Sequence, residues 1–159
     1  MEIIEGGLED PRVIDLVHLH AARGRAENPP RTAFPLDIAK LKTSDVRFWT
    51  VWEDSELLAC GALRRLSEEH AELKSMHTVE AVRRRGIGSV LLRHMMAEAA
   101  RDGIARLSLR TGSWPYFHAA RELYLRHGFV ECPPFEGHAA NDGSVFMTRS
   151  LSGRAWPNE

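Results

Sequence analysis

A chain of 159 residues, 43% of them apolar, is long enough for one sizeable core, and no linker or repeat divides it. Its net charge of −1 gives no general attraction to nucleic acid or anionic lipid. No apolar run approaches the roughly 18 residues that cross a bilayer, no basic-then-apolar leader opens the chain, and Cys60 and Cys132 lack C-x-x-C spacing; a cytoplasmic protein with free thiols is expected.

Met1 to Glu5 reads as a first strand, ended by Gly6-Gly7. A helix then opens on Asp10 as N-cap and Pro11 in the first turn, with Val13, Leu16, Val17 and Ala21 as its apolar stripe, and stops near Gly24. The run from Asn28 to Pro35 is too rich in proline for regular structure, and Leu36 to Leu41 suits a short second helix. Val46 to Trp52 and Leu57 to Leu66 flank the polar connection Glu53-Asp54-Ser55-Glu56, the pattern of an antiparallel hairpin. Alternation puts Phe48, Thr50 and Trp52 on one face and Trp49 and Val51 on the other; one face meets the core, and the other either walls a cleft or lies under a helix. A third strand, Ala71 to Val79, follows after Glu69-His70.

That strand runs into a basic turn, Arg83-Arg84-Arg85-Gly86-Ile87-Gly88, and then a helix opening at Ser89 with Leu91, Met95 and Ala99 at helical spacing. Unpaired N–H groups, the positive end of a helix dipole and two glycines in one concavity make an anion site. The dinucleotide fingerprint would need glycine at Leu91, and the P-loop pattern G-x-x-x-x-G-K-S/T is absent. Ile104 to Thr111 alternates and should run parallel to the third strand, because a helix crossover separates them. Pro115 to Phe129 carries Phe117, Ala120, Leu123, Tyr124 and His127 at helical spacing, closed by Gly128. Phe129 to Glu131 and Ser144 to Ser150 are the last strands, and Ser152 to Glu159 forms a polar tail after a domain spanning residues 1–151.

Two motifs, R-x-x-G-x-G at Arg83/Gly86/Gly88 and L-Y-x-x-x-G-F at Leu123 to Phe129, occur in the order and spacing of the GNAT N-acetyltransferase superfamily, which the chain resembles. Over roughly residues 45 to 151 it is similar to one subgroup of bacterial GNAT proteins. The resemblance implies an α/β (α+β) fold: a mixed, mostly antiparallel sheet of six to seven strands flanked by about four helices, splayed between strands four and five. It further implies an acyltransferase that moves an acetyl group from acetyl coenzyme A to an amine of a small molecule, by direct attack in a ternary complex. Contacts to acetyl coenzyme A would fall on Met76, His77, Thr78, Arg83, Arg84, Arg85, Gly86, Ile87, Gly88, Ser89, Phe117 and Tyr124. Phe117 stands where many GNAT proteins have a pantetheine-binding Asn, and Glu136-Gly137-His138 stands where the subgroup often reads Gly-Asp-Tyr.

Of the catalytic roles, Tyr124 would donate to the leaving thiolate and the backbone N–H of Met76, at a distortion of its strand, would bind the oxyanion. Glu72 is the first candidate for the base, with His77, His118 and water as alternatives. Phe34, Trp49, His118 and His138 are the candidates for the acceptor side. None of the eight histidines has metal-ligand spacing, so no metal is expected. Trp156 is a candidate to dock on the body or on a second copy in a homodimer. A degenerate acyl-CoA sensor and a protein lysine or N-terminal acetyltransferase are the competing readings.

Overall fold

A computed structural model describes residues 1–25 and 35–151. Phe34, most of the proline-rich stretch, the polar tail and Trp156 lie outside the described residues. Seven strands, β1 (Glu2–Glu5), β2 (Val46–Glu53), β3 (Glu56–Arg65), β4 (His70–Thr78), β5 (Arg106–Gly112), β6 (Val130–Glu131) and β7 (Ser144–Ser150), form one sheet in the order β1-β2-β3-β4-β5-β7-β6. The helices are α1 (Pro11–Gly24), α2 (Pro35–Ala39), α3 (Ile87–Arg101) and α4 (His118–Arg126). The pairs β1–β2, β2–β3, β5–β7 and β6–β7 are antiparallel. β4 and β5 are parallel over His70–Leu73 and Arg106–Leu109, the first four residues of each, as the α3 crossover requires.

The chain divides into two compact units, Met1–Arg64 with Lys74–Met95, and Arg65–Leu73 with Met96–Glu159. In the first unit, Asp10 caps α1 by accepting from Arg12 N at 2.9 Å, and Pro11 opens the helix. Its stripe of Val13, Leu16 and Val17 packs with Leu8, Leu41, Phe48, Cys60 and Ala62. The β2–β3 hairpin turns on Asp54 (φ 49°) and Ser55 (φ 69°), two successive left-handed residues as in a type I′ turn, whose twist matches the strands. On the opposite face, Gly61 lies across from Trp49, and a Cβ there would come within 2.9 Å of Met95 Cε. Glycine lets α3 close onto the sheet.

α3 opens at Ile87, two residues before the expected Ser89. Gly86 at φ +78° turns the chain, Val90 N donates to Gly86 O at 3.1 Å, and Ile87 is already buried in the core. In the second unit, Leu107, Leu109 and Met147 of β5 and β7 are fully buried, with Phe129. The expected helix over Pro115 to Phe129 is shorter: Pro115–Phe117 is a 3-10 turn closed by Phe117 N to Trp114 O, and α4 ends at Arg126.

Candidate active site

The turn after β4 is built by backbone geometry. Arg84 takes φ 70° and Gly86 φ +78°, while the first helical hydrogen bond belongs to Val90. The N–H groups of Ile87, Gly88 and Ser89 therefore precede the intrahelical ladder of α3 and sit at the positive end of its dipole. The three arginines take separate places. Arg83 folds back on the end of β4, its Nε donating to Thr78 O at 3.3 Å and an Nη lying 3.4 Å from His77 Nε2. Arg85 points to the hairpin and pairs with Glu53 at 2.9 Å, which holds the Glu53 carboxyl below its ordinary range. Arg84 is exposed.

His77 is 5% exposed, and its Nδ1 stands 2.9 Å from His20 Nδ1 on α1. Burial, with His20, Arg83 and Arg23 nearby, pushes it down to about 3. A neutral ring accepts from Arg83 at Nε2 and donates to His20 through Nδ1. Both nitrogens are then engaged, which removes His77 from the candidates for a free base.

Ser75, in the middle of β4, adopts φ 55°, a left-handed strand residue that resets the alternation of side chains. Its carbonyl accepts from Cys60 Sγ at 3.3 Å. In a planar trans peptide the carbonyl and the following N–H point opposite ways, so the Met76 N–H is directed away from Cys60. Nothing in the local sequence links Cys60 to residue 75; the contact needs β3 and β4 side by side.

Tyr124 is held by the way α4 ends. Phe129 N donates to Tyr124 O at 3.0 Å and Gly128 N to Leu125 O at 3.1 Å, the paired bonds of a Schellman motif with Gly128 left-handed at φ +87°. Phe129 packs edge-on to Tyr124, ring centroids 5.7 Å apart. The spacing Y-x-x-x-G-F is thus the signature of this helix terminus. Tyr124 is 5% exposed, and burial pushes its phenol well above the ordinary value.

At the start of α4, Phe117 is 6% exposed between Trp114 and Tyr116, each ring 5.1 Å away, and a Cβ on Gly112 would overlap its ring. It is a packing residue and has no hydrogen bond to offer a ligand. Arg121 reaches back from α4 to Gly112 O at 2.5 Å and Trp114 O at 3.2 Å, fixing the end of β5. His118 is exposed at the first residue of α4.

Glu72 is 5% exposed, and its Oε2 is 3.0 Å from His138 Nε2, a partner 66 positions along the chain. The two residues were predicted for different roles, and the fold brings them together. Beside them on β4, His70 Nε2 meets Ser108 Oγ at 2.7 Å, and Ser108 continues to Thr148 Oγ1 at 2.9 Å. Burial pushes His70 below its ordinary value. Trp49 needs correction as an acceptor-side residue: it is 1% exposed, edge-on to His94 of α3 and covered by the Arg47 guanidinium 4.7 Å away. Of the two places its strand face could have had, the one under a helix is found.

An open cleft of about 480 Å³ along β1, bordered by Ile4, Arg12, Trp52 and Glu53, contains none of the predicted site residues. Among the described residues no group of three His, Cys, Asp or Glu side chains is arranged to hold a metal ion, and no helix is long and apolar enough to cross a membrane.

Residues 14–129 match the Acetyltransferase (GNAT) family model. The chain belongs to the GNAT family. Relatives agree: the uncharacterised N-acetyltransferase YedL of Escherichia coli is 40% identical over 91% of this chain and 91% of its own. The uncharacterised N-acetyltransferase YsnE of Bacillus subtilis is 39% identical over 95% of this chain and all of its own. A Klebsiella pneumoniae structure described as an acyl-CoA N-acyltransferase superposes with a TM-score of 0.80 at 26% identity, covering 94% of this chain and 97% of that one. The seven-stranded mixed sheet with four helices and a parallel β4–β5 pair is the GNAT fold, and the protein is an acetyl-CoA-dependent N-acetyltransferase.

Proposed function

We propose that this GNAT enzyme acetylates an amine of a small molecule by direct attack on acetyl coenzyme A, with residues 1–151 acting as one catalytic domain. What supports this reading is that the chain carries both a self-terminating α4, which fixes Tyr124, and an intact Arg83/Gly86/Gly88 turn at the start of α3, each built within its own unit.

The turn offers the N–H groups of Ile87, Gly88 and Ser89 to the pyrophosphate, and Gly86 keeps side-chain atoms out of its way. The Met76 N–H, directed by the left-handed Ser75, donates to the oxygen that becomes negative as the amine adds to the thioester. When the C–S bond breaks, the leaving thiolate needs a donor. A phenol raised by burial stays protonated at neutral pH, so Tyr124 offers a charge-assisted hydrogen bond to sulfur. The hydrogen-bonded pair of Glu72 and His138 supplies the proton acceptor for the ammonium.

A sensor that binds acyl coenzyme A without turnover is the second reading, favoured by Phe117, which packs where a pantetheine-binding Asn would act. Calorimetric titration of acetyl coenzyme A, with thiol release measured across a panel of small primary amines and lysine peptides, separates the readings. Binding with release driven by a small amine supports the proposal. Binding without release supports the sensor, release only with peptides points to a protein acetyltransferase, and no binding removes the role of the turn.

A further inference from the structure

His138 presents a specific arrangement. Its backbone N–H donates to Phe135 O at 3.0 Å, its ring stands edge-on to Phe135 at 4.9 Å, and Phe146 lies 5.7 Å away on β7. Loop and strand together clamp the imidazole. Its Nε2 faces Glu72 at 3.0 Å, and an ionised carboxylate only accepts hydrogen bonds, so Nε2 carries the hydrogen. In the neutral ring the basic lone pair is then on Nδ1. The Glu72 side chain is 7% exposed and the His138 side chain 24%. A base must reach its proton, and the more open of the two is the imidazole, which is also the stronger base of the two side-chain types.

Resting on the reading of this protein as an amine acetyltransferase, we infer that His138 Nδ1 takes the proton from the acceptor ammonium, and that Glu72 is a positioning residue that holds the imidazole in the required tautomer. The N–H bond of the ammonium breaks, its electron pair stays on nitrogen as the nucleophile, and the proton forms an N–H bond at Nδ1. The imidazolium so formed keeps its Nε2–H bond to the Glu72 carboxylate, which offsets its charge. As the amine adds and the C–S bond breaks, the second nitrogen proton leaves with the thiolate as free thiol. His138 returns its proton to water, so each turnover of an ammonium releases one proton.

The test uses the full chain, acetyl coenzyme A and thiol release, with two acceptor types: primary alkyl amines, and an alkoxyamine, which is already an uncharged amine at neutral pH and has no ammonium proton to remove before it attacks. His138→Ala is expected to lose about 100-fold or more in kcat/KM for the alkyl amine while calorimetry shows unchanged acetyl coenzyme A binding, and to lose far less with the alkoxyamine. Added imidazole should restore part of the alkyl-amine rate in His138→Ala but not in His138→Gln, which fills the space. Nitrogen-15 NMR of labelled histidine should show His138 protonated at Nε2 in the wild type and mixed between tautomers in Glu72→Gln. The inference is overturned if His138→Ala keeps its alkyl-amine rate, if the loss is equal for both acceptors, or if the resting proton is on Nδ1. A wild type that releases thiol with no amine would instead sink the underlying acetyltransferase reading, and this inference with it.

Discussion

The Cys60 thiol donates to the carbonyl oxygen of Ser75 at 3.3 Å, from one strand to the left-handed residue of the next. The bond fixes the peptide plane whose other end is the Met76 N–H. Cys60→Ala should therefore lower kcat about tenfold with little change in acetyl coenzyme A affinity, and cost on the order of 1–2 kcal/mol of stability. Cys60→Ser keeps a donor and should recover most of the rate. Steady-state kinetics beside urea unfolding separates the two effects; an unchanged kcat in Cys60→Ala would mean that the backbone alone holds the plane. Burial also pushes the thiol up to about 12, so alkylation of the native protein should label the half-buried Cys132 first.

Tyr124→Phe removes a hydroxyl and leaves the ring packed on Phe129. A charge-assisted hydrogen bond of roughly 1.5–3 kcal/mol to the leaving thiolate corresponds to a fall in kcat of about 10- to 100-fold. Binding of acetyl coenzyme A should be nearly unchanged by calorimetry, and the melting temperature should move little. Equal loss of binding and rate would place the hydroxyl in ground-state recognition instead.

Gly112→Ala forces a methyl into the Phe117 ring and to within 2.9 Å of Trp114 Cζ3. Overpacking of this kind costs about 1–3 kcal/mol. Adding Phe117→Leu should return part of that, a coupling that chemical denaturation of the single and double variants would measure. Strict additivity would show that the two sites do not share the space.

His77 is neutral in the fold and has a folded value of about 3, below the ordinary value of 6.5. The unfolded chain binds the extra proton first, so the stability tied to the neutral ring is fully present above pH 6.5 and is lost as the pH falls toward 3. Between pH 7 and pH 5 the loss from this residue is about 2 kcal/mol. Urea midpoints at the two pH values should show it, and His77→Gln should flatten the slope. An identical slope in that variant would assign the acid sensitivity elsewhere.

The features legible in the sequence are those whose causes are local. Asp10 and Pro11 start α1 where a cap and a first-turn proline should, the four residues from Glu53 to Glu56 make the hairpin, and Gly128 stops α4. The parallel pairing of β5 also follows from chain connectivity. What could not be read depends on partners far along the chain. Glu72 and His138 are 66 positions apart, and His20 reaches His77 across 57. The alternation of β4 breaks at Ser75, whose carbonyl is held by a thiol on a neighbouring strand. Arg85, counted with the anion turn, also pairs with Glu53 of the hairpin, and Trp49 is covered by a helix whose closeness depends on Gly61. The two-residue shift in the start of α3 has a nearer cause, the buried Ile87 drawn into the first turn.

The Schellman closure of α4 separates two parts of the molecule in evolutionary terms. Tyr124 receives its position from hydrogen bonds that begin and end within Leu123 to Phe129. The segment from Cys132 to Gly143, which delivers His138, takes no part in them. On the roles proposed above, insertions, deletions and new side chains in that segment would change which amine is accepted while Tyr124, the proposed thiolate donor, stays where it is, so specificity would drift without the chemistry being rebuilt each time.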